Sequence, residues 1–303
     1  MATSVSLIYV TSLITRRSAL KRFASTTALA AAGGAITSLN LTAAHHQTGT
    51  RQFKHSVCKW CFKDISLEDL ADRAKDLGLE SIELLNVEEL PTINKRGLKC
   101  AMVKGVPGRI ENGLNDAKNH DAIVAFMERQ IPRAVELGAT NLICFSGNRR
   151  GLSEEEGLEV CAQGLARIVP IAGKYGATVT MELLNSKVDH ADYQCDHTAW
   201  GVQLCEKVGS AHFKLLYDIY HMQIMEGDLI RTIRDHHPWF SHYHTGGNPG
   251  RHELDGDRQE IDYPAVMRAI ADTGYTGFVG QEFIPAEADA IASLQRAINL
   301  CSV

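Results

Sequence analysis

Residues 240–283 read FSHYHTGGNPGRHELDGDRQEIDYPAVMRAIADTGYTGFVGQEF. The stretch opens on a short apolar run, FSHYHTG (240–246), and closes on another, GFVGQEF (277–283). Between them, DYPAVMRAIADTG (262–274) carries a proline near its start and a glycine at its end. That is the punctuation of a helix. Strand, helix and strand in this order make a crossover unit, and crossovers join parallel strands.

The same alternation extends back to residue 55. Six more strand candidates precede the two above: HSVCKW (55–60), SIELL (81–85), LKCAMV (98–103), NLICFSG (141–147), TVTMELLN (178–185) and FKLLYDIYH (213–221). Helix signals lie between most of them. SLEDLADRAKDLG (66–78) has Ser66 and Asp69 in capping-box spacing and stops at Gly78. SEEEGLEVCAQGLARIVPIAGKYG (153–176) starts with acids and stops at Gly176. Short apolar strands alternating with helices predict an α/β fold whose parallel sheet is covered on both faces. Eight such units fit a single-domain (β/α)8 barrel over residues 51–303. An open doubly wound sheet is the structural alternative. No G-x-G-x-x-G follows the first strand, so a dinucleotide site has no support.

Composition agrees with a globular enzyme. Of 303 residues, 45% are hydrophobic and 22% charged, enough apolar material for a full core. A net charge of −5 and the lack of a long basic run argue against nucleic acid as a partner. Residues 1–50 differ in kind. Arg16 and Arg17 precede a weakly apolar, alanine- and glycine-rich run from Phe23 to about Ala35. This predicts a twin-arginine export signal and a periplasmic destination. The run is too short and too polar for a stable membrane span. Cys58 and Cys61 have redox-pair spacing, but on a strand residues three apart point to opposite faces. They are expected to be packed thiols.

In barrels, reactive groups come from the C-terminal ends of strands and the loops after them. The fifth candidate strand ends near Glu182, the sixth near Asp218 and His221, the seventh near His242 and His244, and the eighth near Glu282. Glu182, Asp218, His244 and Glu282 form an oxygen-rich donor set with one nitrogen. Such a set suits Mn2+ or Mg2+ and accepts Co2+ or Zn2+. Three carboxylates gathered without a cation would repel one another. His242 and His244 share a strand face, and His244 is nearer the strand end. Gly246, Gly247 and Gly250 let the chain turn closely, so that Arg251 returns toward the site. His252 and Glu253 are expected to face water.

Four motifs, MELLN (181–185), YDIYHM (217–222), HYHTGGNPGRHE (242–253) and GQEF (280–283), occur in this order. Together they resemble the hydroxypyruvate isomerase and sugar epimerase group of xylose isomerase-like TIM barrels, from about residue 55 to the C-terminus. The resemblance implies a divalent metal on Glu182, Asp218, His244 and Glu282. It implies substrate contacts from His221 and Arg251, and Glu182 and Glu282 as catalytic carboxylates that move a proton beside a carbonyl. The implied activity is metal-dependent isomerisation of a sugar or hydroxy-keto acid. A ketose 3-epimerase, a non-catalytic carbohydrate-binding barrel and an abasic-site endonuclease are the alternatives. His244 matches the epimerases, since hydroxypyruvate isomerases carry glutamine there, whereas the P-G-R-H-E stretch matches the isomerases. The expected partner is a small molecule; a homo-oligomer is left open.

Overall fold

Strands and helices alternate along residues 53–303, the part of the chain that the computed structural model describes; the expected export signal lies outside it. The order is β1 (Lys54–Cys58), α1 (Leu67–Asp76), β2 (Ser81–Glu83), α2 (Leu90–Asn94), α3 (Ala117–Glu136) and β3 (Asn141–Cys144). Then come α4 (Glu154–Tyr175), β4 (Thr178–Glu182), α5 (Thr198–Val208), β5 (Phe213–Asp218), α6 (Ile219–Met225) and α7 (Leu229–His236). The chain ends with β6 (Phe240–Thr245), α8 (Tyr263–Asp272), β7 (Phe278–Gln281) and α9 (Ala290–Cys301). No helix among the described residues is long and apolar enough to cross a membrane.

The capping signals work as their residues require. Ser153 Oγ accepts from Glu156 N (3.2 Å) while Glu156 Oε2 accepts from Ser153 N (2.9 Å), closing the first turn of α4. Gly176 ends that helix in the left-handed region at φ +67°. Ser66 caps α1 by accepting from Asp69 N (3.0 Å).

All seven strands are parallel, in the order β2-β1-β7-β6-β5-β4-β3. The eighth expected strand, 98–103, forms no continuous ladder. It lies between the two edge strands through isolated parallel bridges, Ser81 with Lys99, Leu85 with Val103, and Val103 with Leu142. Backbone bonds run on both sides, among them Ile82 N to Lys99 O (3.1 Å) and Ile143 N to Val103 O (2.9 Å), and side chains fill the gap at Ala101. Ser81 Oγ accepts from Ala101 N (2.8 Å), and Asn141 Nδ2 donates to Ala101 O (3.1 Å). The segment thereby closes the barrel between β2 and β3.

Several ladders end before the apolar runs do. The run 55–60 pairs only to Cys58, and Lys59–Phe62 turns as a 3-10 helix. The run 213–221 pairs only to Asp218, whose carboxylate accepts from His221 N (3.0 Å) and starts α6. Leu183, Leu184, Ile219 and Phe283 lie beyond their ladders yet are buried. Hydrophobicity therefore outlasts strand pairing at the C-terminal rim. All eight cysteines are buried and free.

The main core joins the sheet to its helices. Met102, Ile143 and Leu216 pack apart from it. Leu216 is two residues before Asp218 and so shares its face of β5. The inner face of the barrel thus carries a small apolar plug and, above it, polar groups. On the outer face, α5 sits close to β5 because Gly201 leaves room for Leu215: a Cβ at Gly201 would lie 2.9 Å from Leu215 Cδ1. Leu215 is fully buried. Leu215→Ala should cost about 2–5 kcal/mol of stability, read as a lower urea midpoint in equilibrium unfolding; an unchanged midpoint would show that this seam carries no weight.

Candidate active site

The ends of β4, β5, β6 and β7 converge. Asp218 pairs in register with His244, and His244 with Gly280. Glu182 closes β4, and Glu282 follows β7, its N–H bonded to Thr245 O (3.1 Å). One donor atom from each of Glu182, Asp218, His244 and Glu282 lies within 4.8 Å of the others, and all four residues are buried. The four strand ends picked out in the sequence therefore meet at one point.

Two cationic groups hold these acids. His244 Nδ1 lies 2.6 Å from Glu282 Oε2 and 3.4 Å from Glu182 Oε1. Arg251 Nη2 donates to Glu282 Oε2 (2.6 Å) and Asp218 Oδ2 (3.0 Å), and its Nε donates to the Glu282 carbonyl (3.1 Å). The guanidinium lies against the rings of Trp60 and Tyr220, 5.4 and 5.2 Å from their centroids. Trp60 Nε1 donates to Glu282 Oε1 (2.7 Å).

The charges respond to these partners. Burial pushes the Glu282 carboxyl up, but His244 and Arg251 outweigh it and hold the group at about 2. Burial raises Asp218 to about 7 despite the pull of Arg251. Burial, and then the charge of Glu282, raise Glu182 above the usual carboxylate range. Burial, and then Arg251, keep His221 neutral far below the ordinary imidazole range.

Glu182 Oε1 and His244 Nδ1 are buried without a well-aligned hydrogen bond, although Nδ1 is within ion-pair reach of both glutamates. Buried polar atoms are seldom left so. An orphaned carboxylate oxygen and an orphaned ring nitrogen, beside two further carboxylates, fit a divalent cation.

The returning loop is built as its glycines suggest. A Cβ at Gly247 would overlap the Glu253 carbonyl, where residue 247 bridges to His252. Gly250 has φ +93° and Arg251 itself φ +59°, a conformation that costs a side chain energy.

Some expectations change in detail. His221 is fully buried and does not line the cavity above the site. Its Nε2 accepts from Arg251 Nη1 (2.8 Å), and its Nδ1 lies 2.6 Å from Asn185 Nδ2. His252 is exposed, but Glu253 does not simply face water. Its Oε1 accepts from Ala286 N (3.0 Å), Glu287 N (3.0 Å) and Ser293 Oγ (3.1 Å), tying down the start of α9.

Three neighbours escaped the sequence reading: Trp60, Cys58 and Glu83. Glu83 ends β2, fully buried, and its Oε1 lies 2.7 Å from His244 Nε2 and 2.9 Å from His242 Nε2. Burial pushes this carboxyl up, yet His242 and His244 hold it far below the ordinary range. Its one sequence signal is a charge inside an apolar run. Glu182, Glu282, Arg251 and Trp60 line a cavity of about 630 Å3, whose wall includes Lys104 and Arg109. That size suits a small molecule.

Known proteins share this arrangement of chain. A 2-oxo-tetronate isomerase of Cupriavidus necator is 32% identical over 123 residues, 41% of this chain and 46% of that protein. A hydroxypyruvate isomerase of Escherichia coli is 30% identical over 199 residues, 63% of this chain and 67% of that one. Among solved structures, an AP endonuclease, family 2, from Brucella melitensis superposes with a TM-score of 0.72 at 23% identity, covering 81% of this chain and 97% of that one. A D-psicose 3-epimerase from Clostridium cellulolyticum gives 0.67 at 17% identity, covering 83% of this chain and all of that one (100%). At these identities the two structures speak for the fold alone. Residues 71–300 match the model of the xylose isomerase-like TIM barrel. That span takes in most of the chain and all four strand ends at the site, and the chain belongs to this family.

Proposed function

We propose that this chain is a divalent-metal-dependent isomerase of short hydroxy-keto acids. The observation that carries the reading is the buried quartet Glu182, Asp218, His244 and Glu282 at the floor of a small-molecule cavity. The names of the two relatives, 2-oxo-tetronate isomerase and hydroxypyruvate isomerase, support the same class. A cation held by the quartet would polarise a carbonyl and its neighbouring hydroxyl, making the adjacent C–H more acidic.

The chain's own residues supply the proton transfer. Glu182 lines the cavity, and with Oε1 given to the cation its second oxygen would face the substrate. It is the group placed to take a proton from the carbon bearing the hydroxyl. The electron pair left behind forms an enediolate; return of the proton to the former carbonyl carbon, with the hydroxyl proton passing to the former carbonyl oxygen, completes the isomerisation. Glu282 is tied by Trp60, Arg251 and His244, so it faces the reacting carbons as a fixed carboxylate. Arg251 and Trp60, which also line the cavity, confine the substrate.

Lys104 favours an acid over a neutral sugar. It lines the cavity wall, and its ammonium makes no hydrogen bond or ion pair among the described residues. Arg109 nearby is already paired with Glu111 (2.8 Å). A ketose 3-epimerase remains the second reading, carried by the imidazole at position 244.

Incubation of hydroxypyruvate, 2-oxo-tetronate and a set of ketoses with Mn2+ in D2O separates the readings. Deuterium beside the carbonyl of an acid is expected. Exchange confined to C3 of a ketose would make the protein an epimerase. Saturable sugar binding without exchange would make it a binder, and metal-dependent nicking of abasic DNA a nuclease.

Glu182→Gln keeps an oxygen for the cation but loses the base. Turnover should fall at least 100-fold while Mn2+ affinity changes far less; near-normal turnover would reject the proposed base. Lys104→Ala should raise KM for the acid about tenfold or more and leave kcat nearly unchanged, with no effect on any neutral ketose turned over. Equal effects on both would remove its role in selecting a carboxylate. We also propose export through Arg16 and Arg17: changing both to lysine should retain the protein in the cytoplasm, and continued export would reject the signal.

A further inference from the structure

We propose that Glu83 is the positioning residue of the metal centre, holding His244 in the one tautomer that turns Nδ1 toward Glu182, Asp218 and Glu282. The proposal rests on the quartet being the metal site, and it adds a residue from a strand across the barrel.

Glu83 ends β2, which is separated from β6 by β1 and β7. Its side chain therefore reaches His244 across the barrel interior. The carboxylate is fully buried, and its donors converge on a single oxygen. Oε1 takes His244 Nε2 at 2.7 Å, His242 Nε2 at 2.9 Å and Cys58 Sγ at 3.4 Å. An ionised carboxylate only accepts hydrogen bonds, so both Nε2 atoms carry hydrogen. With a cation bound in place of the second ring proton, the lone pair of His244 sits on Nδ1. That atom is 2.6 Å from Glu282 Oε2 and 3.4 Å from Glu182 Oε1, and it makes no well-aligned hydrogen bond. It is the atom available to a cation.

The surroundings leave space for this contact. Gly280 lies opposite His244 in the ladder. A Cβ at Gly280 would overlap Glu83 Oε1 and come within 2.8 Å of His244 Cδ2. Only glycine lets the carboxylate and the ring meet here. His242 shares the same oxygen from one pleat deeper in β6 and contributes no atom to the quartet. It serves as a second donor that fixes the Glu83 carboxylate. A carboxylate behind a ligating imidazole orients the ring and raises its basicity, and loss of such a partner commonly lowers metal affinity about 10- to 100-fold.

The test needs no activity. Nitrogen NMR of the His244 ring in wild-type protein loaded with Zn2+ should show Nδ1 on the metal and hydrogen on Nε2. Coordination through Nε2 would overturn the proposal without any variant. Isothermal titration with Mn2+ should give one cation per chain, and Glu83→Gln should weaken it about 10- to 100-fold, since an amide offers the ring either a donor or an acceptor. His242→Gln leaves the Glu83–His244 contact in place and should bind within about threefold of wild type. Unchanged affinity in Glu83→Gln, with wild type binding one cation, overturns the positioning role and leaves the quartet standing. Unchanged binding in Asp218→Ala and His244→Ala overturns the quartet and the proposal together. Two cations per wild-type chain, one of them lost in Glu83→Gln, would make Glu83 a ligand of its own and overturn the positioning role as well.

Discussion

Burying four carboxylates close together is the costly feature of this barrel. Glu83, Glu182, Asp218 and Glu282 are all nearly or fully inaccessible to water. An ion moved into a protein interior costs several kcal/mol unless it is paired. Much of the surrounding construction supplies that pairing. His244 stands among Glu83, Glu182 and Glu282 and touches acids through both ring nitrogens. Arg251 arrives from a loop and bonds Asp218 and Glu282 at once. The loop's glycines, and the left-handed backbone at Arg251 itself, follow from the need to bring that guanidinium back over the strand ends. Trp60, set by a 3-10 turn after β1, covers the guanidinium and donates to Glu282.

Sheet register then makes the cluster specific. Side chains alternate along a strand, so a slip of one residue would turn every ligand toward the helices. The ladder sets Asp218 beside His244 and His244 beside Gly280. Asp218 gains a second constraint from capping α6, which fixes one oxygen on His221 N and leaves the other for Arg251. His221, held by Asn185 and Arg251, buttresses the guanidinium from behind. A helix cap, a ladder and a buried arginine thus share the work of aiming one carboxylate.

What the sequence made legible follows from how local each signal is. The strands, the caps at Ser66 and Gly176, and the placing of Glu182, Asp218, His244 and Glu282 at successive strand ends all rest on short-range pattern. Glu83 was not legible, because SIELL looks like an apolar strand with one solvated acid. Its partners are 159 and 161 residues away in the chain. The closing segment 98–103 was recognised as a strand, but its dependence on Ser81 and Asn141 side chains was not, since those bonds cross between elements. Glu253 failed for the same reason: in sequence it is one more polar loop residue, and in space it binds the turn before α9.

The two glutamates of the proposed reaction show how far partners, and not residue type, divide the chemistry. In sequence they are equivalent, each at a strand end, each buried. Glu282 has Trp60 on one oxygen and Arg251 and His244 on the other, and these hold its proton affinity down to about 2. Glu182 has an oxygen with no well-aligned hydrogen bond, and burial together with the charge of Glu282 raises its proton affinity. A carboxylate with a partner on each oxygen, and its charge held by cations, fixes a cation or a dipole more readily than it accepts a proton. One with a free oxygen can accept it directly, at a driving force nearer neutrality. Within the proposed mechanism the first proton therefore goes to Glu182. Burial is the first reason that Glu182 stays basic, and the charge of Glu282 adds to it.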